Sequence, residues 1–194
     1  MLTLMWVMPF FETPYPLRYG FGAVLLAFVV ARQRAEGATA EELGFAWKTF
    51  APALQQLAVP TAIALLALLA FGWANDGLRL PRKSVGSWVF LPFWAFLQQF
   101  LLLGFCHRRL RVLCGSGTPV VLASGLLFGL LHLPNPTLMV ACSVSGFLWA
   151  AQFERTPNLF ATALSHAVLS TCLSHSIPKS ILVSMRVGYR YLVN

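Results

Sequence analysis

The chain has 194 residues, 58% of them hydrophobic and 10% charged, with 14 lysines and arginines against six acidic residues. A soluble domain carries about 25% charged residues, so the composition excludes an ordinary soluble domain and indicates an integral membrane protein with one compact helical domain. The basic residues behind the net charge of +8 fall between apolar runs, with no stripe interleaved with aromatics, which argues against nucleic acid and for anionic membrane lipid as the partner.

In chain order, Met1–Phe11 is apolar but has neither a basic start nor a small-residue cleavage site, so it does not read as a secretory signal. A first span is expected over 17–31, stopped by Arg32 and Arg34. A polar connector follows that holds Glu36, Glu41 and Glu42, and then a second span over 53–73. Gln55 and Gln56 lie near its start and are expected at the interface. Residues 75–84 read as a loop. The third span, 86–106, carries Gln98 and Gln99 and ends in the basic run His107–Arg111. Thr118–Pro119 opens the fourth, 119–133, which Leu133-Pro134-Asn135-Pro136 breaks. The fifth covers 136–152. Asn158 or the Thr156–Pro157 pair is placed to cap the sixth, 159–173. The tail, 176–194, is expected to hold a short interfacial helix. The fold class is therefore an all-α, polytopic membrane bundle of about six transmembrane helices. Its flanking basic residues divide seven and seven between the two sides, so charge does not orient it, although the His107–Arg111 cluster weakly favours its own side as cytoplasmic.

Polar groups left unpaired in hydrocarbon cost several kcal/mol. Gln98, Gln99, His132, Ser165, His166, Ser170 and His175 therefore need an account. Phe128 and His132 stand four apart on one helix face, with Gly125 and Gly129 permitting close helix approach. His166 and Ser170 repeat that spacing. Any one of these could be a helix-to-helix bond. Polar groups on three separate spans point instead to a shared interior site. The four cysteines form no C-x-x-C pair and read as small buried residues.

The order and spacing of these stretches resemble the CPBP family of intramembrane endopeptidases, which includes CAAX prenyl proteases and bacteriocin-immunity-like proteins. Its pattern is E-E-x-x-x-R-G, then F-x-x-x-H, then H-x-x-x-N or D. Here the matching stretches are QQFLLLG, FGLLH and HAVLS, supported by EELGF, RRLRV and FERTPNLFATALSHA. The resemblance implies a first segment with one span over 1–40, the protease-like domain over 41–175 and the tail beyond it. It implies a catalytic set of His132, His166, Gln98, Gln99 and Ser170, with Phe128 and Leu103 lining the substrate cavity. Gln98 and Gln99 occupy the glutamate positions, Leu103 the arginine position and Ser170 the asparagine position. Glutamine keeps the shape of glutamate but cannot take a proton near neutral pH. Leu103 fits that change, because an arginine there would have no anion to pair with.

Three functions follow as expectations. One is a variant endopeptidase acting on transmembrane or lipidated peptides, with His132 or His166 as base, directly or through a divalent metal held by those histidines, and a glutamine as oxyanion donor. A cysteine nucleophile, Cys142 or Cys172, is a minor form of this reading. Another is a pseudoprotease that binds such a peptide without cutting it, in maturation, immunity or scaffolding. The third is a small transporter or channel subunit, disfavoured because no inverted repeat or paired broken helices are evident. A bacterial inner-membrane location is expected.

Overall fold

In the computed structural model, residues 3–79 and 85–193 are described, the stretch 85–89 by its backbone alone. The expected loop 75–84 lies partly outside them. A short helical N-terminal segment, residues 3–10, leads into α1 (Tyr15–Ala35). After it come α2 (Phe50–Ala74) and α3 (Val85–Gln99), which runs on as a π-helix, Phe100–His107, and then as α4 (Arg108–Cys114). Three more long helices follow: α5 (Thr118–Leu130), α6 (Pro136–Arg155) and α7 (Leu159–Ser176), and a final turn, α8 (Tyr189–Leu192). Among the described residues the fold is all-helical, and each expected span falls on helical chain, the third on α3 and the π-helix together.

Among the described residues, three stretches are long and apolar enough to cross a membrane: Trp47–Ala74, Phe90–Cys114 and Pro136–Arg155. α5 is apolar but shorter, at 13 residues. The pattern of burial fits a lipid solvent. Trp47–Ala74 has the highest mean hydropathy, 2.1, yet only 11% of its most apolar stretch is buried. Val59, Ile63 and Leu66 form an exposed stripe along it, while Ala53 and Leu57 turn inward. Meanwhile Gln33, Gln99, His107, Ser124, Asn158, Ser165 and His166 are buried. Apolar groups lie outside and bonded polar groups inside, as a bilayer requires.

α7 is the central helix, with Leu159, Ala161, Thr162, Ala163, Ser165, His166, Ala167 and Leu169 all buried. Its start is fixed by Asn158, whose side chain accepts from the Ala161 amide at 2.9 Å and donates to the Ala46 carbonyl at 2.8 Å. Gly44 makes this junction fit. Its φ is +82°, its carbonyl accepts from the Leu159 amide, and a Cβ would lie 2.7 Å from the Phe153 ring. Against α7 lie α2, through Thr61 and Ser165 at 2.8 Å, and α3, through Gln99. α5 and α6 are an unusually close pair. A Cβ on Gly125 would run into the Phe147 ring, and one on Gly146 would lie 3.0 Å from the Gly125 Cα. The small-residue face expected on α5 is thus used for helix contact.

α1 is pinned at its C-terminal end. The buried Gln33 amide donates to the Gly104 carbonyl within the π-helix, and Arg109 donates to both Glu36 carboxylate oxygens, at 2.9 and 3.0 Å. The tail departs from its expected form. It runs mostly as non-helical chain over the start of α6, with the four-residue α8 at its end, because the Ile181, Ser184 and Arg186 carbonyls are taken up by the Thr137 and Asn135 side chains at the start of that helix.

Candidate functional site

The site forms where α3 gives way to the π-helix. A π-helical stretch widens the helix and is frequently found at functional sites. Gln99, the last residue of α3, is fully buried, and its amide Nε2 donates to His166 Nδ1 at 3.0 Å. That bond places the proton of a neutral His166 ring on Nε2. The amide oxygen of Gln99 is buried and has no hydrogen-bond partner among the described residues.

His132 lies in the turn after α5. Its Nδ1–H donates to the Phe128 carbonyl at 2.7 Å, which leaves Nε2 with a free lone pair in the neutral ring. The two histidines therefore have opposite tautomers. His132 offers an acceptor at Nε2, and His166 offers a donor.

Phe128 bridges them. Its ring meets His132 edge-on at 4.8 Å and His166 edge-on at 5.6 Å between centroids. Trp149 closes the other side of His166, with ring centroids 4.6 Å apart. The Trp149 indole N–H donates to Ser165 Oγ at 3.0 Å, and Ser165 is tied in turn to Thr61. The site is enclosed: His132 is 9% exposed, His166 5% and Gln99 0%.

Of the sequence-derived set, Gln99, His132, His166 and Phe128 come together. Gln98 and Ser170 are half-buried, and neither hydrogen-bonds to a histidine among the described residues. Leu103 is fully buried in the same apolar core as Phe128 and Trp149. Cys172 lies 3.4 Å from Ser176 Oγ and Cys142 packs against the core, so neither pairs with a histidine. As for a metal, no group of three or more His, Cys, Asp or Glu side chains converges among the described residues. With both Nδ1 atoms engaged and the His166 Nε2 carrying its proton, only the His132 Nε2 lone pair remains, with no anionic ligand beside it among the described residues. That donor set does not fit a resident divalent ion.

Sequence reasoning missed Trp149, Thr61 and a second buried polar cluster. His107, read only as the start of a basic helix terminus, donates from Nε2 to Glu154 Oε1 at 3.0 Å and accepts the Ser124 hydroxyl at Nδ1, 2.8 Å away. Glu154 also accepts from the Gly117 amide at 3.0 Å and pairs with Arg111 at 3.5 Å. This cluster ties the end of the π-helix to α5 and α6. One signal was available: Ser124, Phe128 and His132 recur every four residues along one face.

Residues 81–172 match the family described as type II CAAX prenyl endopeptidase Rce1-like. The matched segment contains Gln98, Gln99, Leu103, Phe128, His132, His166 and Ser170, the whole catalytic and cavity set that the resemblance implies, while His175 lies beyond it. No curated protein and no solved structure matches the chain.

Proposed function

We propose that the protein is a multi-pass, CAAX-protease-like intramembrane endopeptidase of about six spans in a bacterial inner membrane. It acts on membrane-embedded or lipidated peptides, with a histidine in place of the family's glutamate base. The observation that carries this reading is the opposed tautomer pair on either side of Phe128. A water bound at His132 would give its proton to Nε2 as its oxygen attacks the scissile carbonyl carbon. The carbonyl oxygen, gaining the electron pair, would accept from the His166 Nε2–H. Collapse of the tetrahedral species breaks the C–N bond, and the proton held on His132 passes to the departing nitrogen. Gln99 holds the tautomer and orientation of His166, as an amide can do and a carboxylate can do only by reversing the proton. Trp149 and Phe128 fix the rings and exclude bulk water. Gln98 and Ser170 stand one residue and one turn away as further polar contacts for the peptide, and the apolar Leu103 completes the wall. The domain extends over 41–175, beyond the family match, because the Gly44 junction and α2 pack directly on α7.

A second reading, a pseudoprotease that binds a membrane peptide without cutting it, is favoured by one observation: the group beside His166 is an amide with no basicity. Cleavage of a membrane-peptide library in liposomes, read by mass spectrometry, separates the two. Cleavage by the parent chain supports the histidine-base reading. Cleavage only by Gln98→Glu/Gln99→Glu/Leu103→Arg supports the pseudoprotease.

A further inference from the structure

The tail beyond the family match, residues 177–188, is bonded to the turn that carries His132. Asn135 is the centre of this contact. It is 1% exposed, and its backbone amide donates to the His132 carbonyl at 3.0 Å. Its side-chain oxygen caps α6 by accepting from the Leu138 amide at 3.2 Å. Its side-chain nitrogen donates outward to two carbonyls of the tail, Ser184 at 2.8 Å and Arg186 at 3.1 Å. Two more bonds flank it. The Gly188 amide donates to the Leu133 carbonyl at 2.8 Å, and the Thr137 hydroxyl donates to the Ile181 carbonyl at 2.7 Å. Underneath, Ile177 and Leu182 are buried against Leu138. Gly188 has φ +63°, and its α-carbon faces the Met5 backbone so closely that a Cβ would overlap it.

Among the described residues, the His132 ring hydrogen-bonds only to the Phe128 carbonyl, one turn back in α5. The last turn of α5 is closed by backbone bonds, from the Leu131 amide to Leu127, the His132 amide to Gly129 and the Leu133 amide to Leu130. The chain beyond it, Leu133 to Asn135, is held by the tail. We propose that residues 177–188 are a strap that positions the His132 turn, and that Asn135 is the positioning residue that latches it. In this arrangement the catalytic geometry of the Rce1-like segment depends on a piece of chain outside that segment. The inference rests on the reading of His132 as the base, but its test does not need activity.

Asn135→Asp separates the two roles of the side chain. Aspartate still caps α6, but it turns an acceptor toward the Ser184 and Arg186 carbonyls in place of the donor. Gly188→Ala displaces the strap from its other end and leaves Asn135 intact. Both would be compared with the parent full-length chain in nanodiscs, with 15N-labelled histidine and amide exchange. The four histidines of the chain give separate imidazole signals, and the Nδ1–H tautomer of His132 is distinguishable from the Nε2–H tautomer of His166. The expected result is about tenfold faster exchange at the backbone amide of position 188 in both variants. The His132 imidazole signal shifts with it, while those of His107 and His166 stay in place. Faster exchange at position 188 with an unmoved His132 signal overturns the proposal, as does unchanged exchange in both variants. If the parent neither cleaves nor binds peptides, the functional reading fails while the imidazole result still decides the strap.

Discussion

Replacing Gln99 by glutamate tests whether this site is adapted to an amide. Gln99 is fully buried, and its side chain donates to a neutral ring nitrogen. Leu103, four residues on, is buried as well. The hydrogen bond itself is nearly recoverable. His166 can move its proton to Nδ1 and donate to the new carboxylate, so this term changes by no more than about 1 kcal/mol. The charge matters more, because an uncompensated buried charge costs about 3–5 kcal/mol. We expect Gln99→Glu to lower stability by about 3 kcal/mol at pH 8. Adding Leu103→Arg should give a favourable coupling of at least about 1 kcal/mol relative to the sum of the two single substitutions. Reversible unfolding in mixed micelles, run on the parent, both singles and the double, measures this directly. A Gln99→Glu protein as stable as the parent at pH 8 would refute the reasoning, since it would mean that the site already accommodates an anion.

Three further outcomes are expected. His107→Ala should cost about 2 kcal/mol in the same assay, because it leaves the buried Ser124 hydroxyl without its ring partner; His107→Gln should recover part of the loss. Gly125→Leu should cost about 1–3 kcal/mol by driving a side chain into Phe147, whereas Leu122→Ala, on the exposed face of the same helix, should cost much less. The third concerns pH. Glu42 lies in the connector before α2, and the backbone N–H of Thr39 holds its carboxyl below the ordinary range against a small opposing effect of burial, with Arg108 and the Thr39 hydroxyl assisting. A depressed carboxyl stabilises above its unfolded value and loses that contribution as pH falls through its folded value. The turn over residues 39–44 should therefore loosen below the ordinary carboxylate range, read as faster exchange of the Thr39 amide, and Glu42→Gln should remove the pH dependence.

The helices were legible because their signals are local. Apolar runs, the proline after Thr118, the break at Leu133–Pro136 and the side chain of Asn158 mark ends that the structure keeps. The pairing of His132 with His166 was legible through motif order and the four-residue spacing of Phe128 and His132. What was hidden depends on contacts between distant residues. A π-helix over Phe100–His107 leaves no mark in composition, since the same residues would make an ordinary helix. His107 looks like part of a charged helix end until Glu154, 47 residues on, is brought against it. The tail reads as an amphipathic helix in sequence, but its carbonyls bond to the side chains of Asn135 and Thr137, 44 to 51 residues earlier, which no periodicity reveals. Trp149 looked like one more apolar residue until its indole N–H met Ser165.

The most direct test of the central claim is the rate of membrane-peptide cleavage in liposomes by the parent chain, His132→Ala and His166→Ala, with unfolding measured on each. The account predicts cleavage by the parent and a loss of about 100-fold or more in both variants while they remain folded. Cleavage at the parent rate by a folded His132→Ala protein would contradict it.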